Sequence, residues 1–204
     1  MNPFFSIVKA CTLVILLVAA GGVGAAAETP SKVVEKFQAI LLQVMRESDK
    51  LNVRQRYDRL ASSVETSFHL PLMVQIATAT HWRDATPSQR VQLVGAFRRM
   101  SVTTLATLFD SYDGETFQVL GERPGPQNTQ LVLTRLTKLD KSTVDIAYVA
   151  RKFDDGWRMI DVIVDNGISE LKVRRSEYSS ILKSDGIPGL VALLNGKADE
   201  LISK

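Results

Sequence analysis

Histidines, cysteines and paired acids carry much of protein chemistry, and this 204-residue chain is poor in the first two. It has 2 histidines, His69 and His81, and 1 cysteine, Cys11. A zinc site needs three or four ligands. Neither histidine stands in a recognisable cluster of three or four ligand-type residues, so no metal is expected. His81, beside Trp82, reads as a packing or capping residue. Asp154 and Asp155 form an acidic pair, but Gly156 follows them, and aspartate before glycine is turn chemistry in which the carboxylate bonds nearby backbone. Nothing around them would orient a base or stabilise developing charge. No Gly-x-Ser-x-Gly elbow, Walker loop or dinucleotide fingerprint occurs. The expectation is no catalytic residue, no cofactor and no enzyme.

Charge excludes a further class. With 25 basic and 22 acidic residues the formal charge is +3, too near balance for nucleic acid, which calls for a concentrated basic stripe. The basic pairs Arg98-Arg99 and Arg174-Arg175 do not make one, because neighbouring residues on a helix point in different directions.

The N-terminus has the layout of a secretory signal. Lys9 precedes the apolar run Ala10 to Ala20, and Gly24-Ala25-Ala26-Ala27 offers a small-residue cleavage site before Glu28. The run is short of the roughly 20 apolar residues that a membrane-spanning helix needs. Residues 1–27 are therefore expected to be a signal peptide cleaved after Ala27. Cleavage would remove Cys11, and with it any disulfide or thiol chemistry. Residues 28–204 are of single-domain length, enough to bury a core.

Three blocks must then position whatever the domain does: helices over 31–112, strands over 115–165 and helices over 168–203. Strands grouped between helices imply an α+β domain with an antiparallel sheet, not a parallel βαβ array. Val34, Phe37, Leu41, Val44 and Met45 recur at helical spacing after Pro30 and Ser31. A second helix is expected over Val53–Val64 and a short one over Leu72–Thr80. Thr86-Pro87-Ser88 marks the entry of a long helix, expected over Ser88–Tyr112, whose apolar surface is wider than one stripe. Four strands are expected over Glu115–Gly121, Gln130–Lys138, Ser142–Lys152 and Trp157–Val164, the last pair joined by the Asp154-Asp155-Gly156 turn.

One segment carries a resemblance. The run from Gly156 to Ser169, GWRMIDVIVDNGIS, is a last strand entering a Gly-Ile-Ser helix start. Arg174-Arg175-Ser176-Glu177-Tyr178 follows, and then Gly186-Ile187-Pro188-Gly189-Leu190-Val191-Ala192-Leu193-Leu194. This order resembles the periplasmic phospholipid carriers typified by MlaC and the toluene-tolerance proteins. The Ser169-Glu170-Leu171 and RRSEY wording is more similar to the hopanoid-associated HpnM branch. Glu170 and Arg174-Arg175 depart from the usual polar pattern of the family, which leaves phospholipid and hopanoid both open as cargo.

The resemblance implies a curved four-stranded sheet of the nuclear-transport-factor type, wrapped by helices around an apolar pocket. It implies a soluble periplasmic carrier moving lipid between the inner and outer membranes. The implied partners are an inner-membrane transporter, either an MCE-type complex or the RND-type HpnN, and an outer-membrane acceptor. Periodicity then nominates wall residues: Phe97, Met100, Leu105, Leu108 and Phe109 from the long helix, and Phe117, Leu131, Leu133, Ile146, Tyr148, Ile160 and Val162 from the sheet. Arg98, Arg99, Arg174 and Arg175 are candidates for a partner surface or a lipid phosphate. The competing reading is an envelope adaptor without a lipid cavity, filled at ordinary packing density and acting through its surface.

Overall fold

The computed structural model describes residues 28–164 and 167–203; the expected signal segment, with Cys11 and the Ala27 cleavage point, lies outside them. The first helix, α1 (Pro30–Arg46), starts because Thr29 accepts the Lys32 N–H and Pro30 supplies a preset φ. Its stripe of Val34, Phe37, Leu41 and Val44 is buried. After a short 3-10 turn, Asn52 and Gln55 close a reciprocal capping box on α2 (Val53–Ser67). Next come α3 (Leu70–Thr78) and the five-residue α4 (Thr80–Asp84). Thr86, Pro87 and Gln89 then start the 22-residue α5 (Pro87–Leu108) with a second capping box. This helix stops four residues short of the expected end at Tyr112, because Phe109 leaves helical geometry at φ −105° and ψ 62°.

The sheet is antiparallel and has five strands, not the expected four, in the order of the chain. They are β1 (Thr116–Pro124), β2 (Thr129–Thr137), β3 (Thr143–Phe153), β4 (Gly156–Val164) and β5 (Ile168–Ser169). The added strand is the Ile-Ser dipeptide expected to begin a helix. Ile168 pairs with Val164 and Ser169 with Ile163, and only then does Ser169 cap α6 (Glu170–Ser184) by accepting the Lys172 N–H. Two residues are too few to show a strand's alternation. A second helix, α7 (Gly186–Ile202), follows α6 after a break at Asp185 and Gly186.

Two irregularities shape the sheet. The β1–β2 register shifts between Val119 and Gly121, and the β3–β4 register shifts opposite Val149 and Ala150, where Ile160 is the extra residue. On the face toward the helices stand Val132, Tyr148 and Met159, which share one core with Phe37 and Leu41 of α1, Leu60 of α2, Leu93 and Phe97 of α5 and Leu190 of α7. The crossover between α2 and α3 is stitched to this sheet: Phe68 bridges to Met159, and the His69 N–H donates to the Met159 carbonyl at 2.9 Å. Among the described residues, no helix is long and apolar enough to cross a membrane.

Candidate functional site

The β3–β4 hairpin, the α2–α3 crossover and the middle of α5 enclose a cleft of about 720 Å³. Its floor is apolar, made by Phe68, Leu70, Val94 and Phe153, and its rim is charged, with Arg98, Arg151, Lys152 and Arg158 facing Glu65, Asp154 and Asp155. The hairpin forms because Gly156 adopts φ +125° after the two aspartates. Phe153, at the end of β3, lies flat on His69, with ring centroids 4.1 Å apart. His69 holds its own place by accepting the Leu72 N–H on Nδ1 at 3.1 Å, which makes it the cap of α3.

Arg158 organises the rim. Its Nη2 donates to Asp155 Oδ2 at 2.5 Å, and its Nη1 donates to the Glu65 and Thr66 carbonyls at 2.9 and 3.3 Å. Those carbonyls close α2, where a cation suits the negative end of the helix. The hydrogen bond from Arg158 holds the Asp155 carboxyl below its ordinary pKa. Arg98 pairs with Glu65 and donates to the Tyr57 hydroxyl at 3.0 Å. The Arg158–Asp155 pair is also a shared wall, because a second cleft of about 410 Å³ lies beyond it, lined by Lys36, Arg59, Ser62, Thr66 and Trp157.

A run of aromatic contacts leads inward from the cleft floor. Phe68 meets Phe37 edge to face at 5.0 Å, and Phe37 meets Tyr148 at 6.3 Å. Beside them is a buried polar node: Gln38 Nε2 donates to Thr134 Oγ1 at 3.1 Å and to the Tyr148 hydroxyl at 3.4 Å, and the Thr134 hydroxyl donates to the Ile146 carbonyl at 3.0 Å. Burial pushes the Tyr148 pKa up to about 12, against the opposing effect of the Gln38 bond.

The nominated wall residues divide. Phe97 and Tyr148 belong to the common core, and Met100, Leu105, Phe109, Phe117, Ile146 and Val162 pack against it. Leu108 is 68% exposed at the end of α5. Leu131 and Leu133 pair with Val149 and Ala147, whereas Val132 and Thr134 pair with Tyr148 and Ile146. The first two therefore stand on the sheet face turned away from the helices, and Leu133 and Ala147 line a shallow groove of about 260 Å³ there. Ile160 is buried within the β4 bulge. None of these twelve nominated residues lines the 720 Å³ cleft.

Of the nominated cations, only Arg98 reaches that cleft. Arg99 donates to Asp199 Oδ1 at 2.5 Å and ties α5 to α7. Arg174 pairs with Glu177 within α6, and Arg175 is exposed. Sequence reasoning missed Phe68, Phe153, Arg151, Lys152 and Arg158; the available signal was an Arg-Lys-Phe triplet at the end of a strand, just before a turn. Among the described residues, no three His, Cys, Asp or Glu side chains are grouped to hold a metal ion.

Comparison with known proteins adds two findings. The family model described as "MlaC protein" matches residues 33–196. Among solved structures, the chain is similar to a phospholipid-binding protein from Ralstonia solanacearum, determined in complex with a phospholipid, with a TM-score of 0.75 and 18% identity over 87% of this chain and 100% of that one. At that identity the likeness is one of fold.

Proposed function

This chain belongs to the MlaC family, and we propose that it is a lipid-binding carrier of the bacterial periplasm, not an enzyme. Residues 1–27 direct export and are removed. The remaining domain takes a phospholipid or hopanoid-type lipid between an inner-membrane transporter, MCE-type or the RND-type HpnN, and an outer-membrane acceptor. The RRSEY wording at Arg174–Tyr178 favours the HpnM branch.

The observation that carries this reading is the family match across residues 33–196. Two others support it. The Ralstonia protein of the same fold holds a phospholipid. A cleft of about 720 Å³ falls within the usual range of ligand sites. Each buried methylene contributes about 0.8 kcal/mol, so a protein that shields lipid from water needs no other driving force. In the proposed mechanism the apolar part enters over Phe68 and displaces the Phe68–Phe37–Tyr148 contacts. It then lies between α5 and the sheet against Phe97, Met100, Leu105, Phe109, Phe117, Ile146, Tyr148 and Val162. Tight binding opposes release, so the acceptor must stabilise a conformation that holds the cargo poorly.

The single buried core shared by the helices and the sheet favours a second reading, an envelope adaptor that works through its surface. Native mass spectrometry of protein purified without detergent from its own envelope separates the two. A stoichiometric phospholipid or hopanoid is expected. A clean apoprotein that also refuses added lipid would overturn the carrier and leave the adaptor.

A further inference from the structure

Beyond the Arg158–Asp155 wall, the cleft of about 410 Å³ lies between α1, the last turns of α2 and the start of β4, and its charges are already matched. Lys36 pairs with Glu28 at 2.5 Å, Arg59 with Glu47, and Arg158 with Asp155. The cleft therefore favours neither an anion nor a cation. Its hydroxyls are less fully matched. Ser62, Ser63, Thr66 and Ser67 stand at helical spacing along α2 and all line the cleft. The Thr66 hydroxyl donates to the Ser62 carbonyl at 2.9 Å. Among the described residues, the hydroxyls of Ser62, Ser63 and Ser67 and the Trp157 indole N–H have no protein hydrogen-bond partner. Ser67 continues the buried stripe of Leu60 and Val64 and is itself 6% exposed. An apolar side chain would pack at that place, and an unpartnered hydroxyl there is costly. Among the described residues, Thr103 alone has a fully sealed side-chain oxygen without a partner, so the Ser67 hydroxyl opens onto the cleft.

We propose that this second cleft binds a neutral polyhydroxylated group, a single sugar ring or a polyol of that size. Its volume falls in the usual range of small-molecule sites. A serine hydroxyl both donates and accepts, so Ser62, Ser63 and Ser67 can meet ligand hydroxyls in either sense without supplying charge. The half-buried Trp157, with Val33 and Ile40, gives an apolar wall for the C–H face of a ring, and its indole N–H adds one donor. The ion pairs around the cleft leave no charge to attract a phosphorylated or amino sugar ahead of a neutral one. Because the Arg158–Asp155 wall separates this cleft from the 720 Å³ one, the site stands whether or not the domain carries lipid. The same chemistry reaches the protein either as a soluble sugar or as the sugar of a glycolipid.

The full chain as exported, Ser67→Ala, Trp157→Leu and the control Trp82→Phe are titrated by ligand-observed NMR. The probes are the methyl glycosides of glucose, galactose and N-acetylglucosamine, then myo-inositol, with glucose 6-phosphate as the charged comparison. Vesicles of glucosyl-diacylglycerol are tested beside plain diacylglycerol vesicles by flotation. Wild type is expected to bind at least one neutral probe with a Kd on the order of 1 mM, and glucose 6-phosphate no more tightly. Ser67→Ala should weaken that binding about threefold to tenfold while melting no lower than wild type, a combination that a purely structural serine would not give. Trp157→Leu should lose the binding and Trp82→Phe should keep it. Binding of a free glycoside assigns a soluble sugar. Binding of glucosyl vesicles alone, above the plain ones and weakened by Ser67→Ala, assigns a glycolipid. The proposal is overturned if wild type binds neither the neutral probes nor the glucosyl lipid above the plain one, if Ser67→Ala binds as wild type does, or if the phosphorylated sugar is preferred.

Discussion

His69 and Phe153 stack with their rings 4.1 Å apart and 11° from parallel, although 84 positions of chain separate them. The contact joins the α2–α3 crossover to the β3–β4 hairpin and closes one end of the large cleft. His69→Ala should cost about 1–2 kcal/mol, since it removes both the stack and the α3 cap. A double-mutant cycle with Phe153→Leu, read by urea denaturation, should return a coupling of about 0.5–1.5 kcal/mol. Zero coupling would mean that the two elements are held together elsewhere.

Gln38 is the only polar link from α1 into the interior among the described hydrogen bonds to the sheet's inner face. Gln38→Leu leaves the Thr134 and Tyr148 hydroxyls without that donor and should lower stability by about 1–3 kcal/mol. Tyr148→Phe keeps the Gln38–Thr134 bond and should cost less. The order of the two midpoints in one denaturant series is the test.

Alkaline titration should expose the buried phenols. Burial raises the folded-state pKa of both Tyr148 and Tyr178 from 10.0 to about 12. A phenol whose folded pKa lies above its unfolded value favours folding fully below pH 10, and that contribution is lost as pH rises toward 12. Stability should therefore decline between pH 10 and 12, and tyrosinate absorbance should show two of the four tyrosines ionising late. Ionisation of all four together near pH 10 would contradict the burial.

Two glycines of α7 should respond with opposite signs. A Cβ at Gly189 would lie 2.3 Å from Asp185 Cβ, at the tight entry of the helix. Gly189→Ala should destabilise by about 1–3 kcal/mol. A Cβ at Gly196 meets nothing within 4 Å, so Gly196→Ala should raise stability by about 0.5–1 kcal/mol through better helix propensity. Thermal melts of the two variants side by side decide it.

Thr103 Oγ1 is buried without a hydrogen-bond partner among the described residues. Thr103→Val replaces that hydroxyl with a methyl of similar shape. The variant should be as stable as wild type or more stable by about 1 kcal/mol. A loss of comparable size would show that the hydroxyl is satisfied in solution.

Where local chemistry decides structure, the sequence is readable. Thr86-Pro87 starts α5 with the expected cap, and Asp154-Asp155-Gly156 makes the expected hairpin. The antiparallel order followed from strands grouped between helices. Orientation within β2 was not readable, because Leu131-Val132-Leu133 is apolar throughout and the alternation that distinguishes the faces is lost. The structure turns Val132 inward, fully buried, and pairs it with Tyr148. The end of α5 was equally hidden, since no glycine or proline marks it. The cleft is illegible for a different reason: Glu65, Val94, Arg98 and Phe153 come from three separate elements and meet only after folding.

The shift at Leu120 in β1 has a consequence at high protein concentration. This strand is one edge of the sheet, paired only with β2, and a regular bare edge is a template on which another chain can add a strand and begin an aggregate. The bulge interrupts the regular spacing of donors and acceptors, Pro124 removes an N–H, and Glu122 and Arg123 place charge along the rim. Glu122 is further committed, accepting the Ser31 N–H at 2.9 Å and so covering part of the edge with the start of α1. A chain built this way resists polymerising through its sheet at high concentration, and keeping that edge irregular is as much a condition of staying dispersed as net charge is.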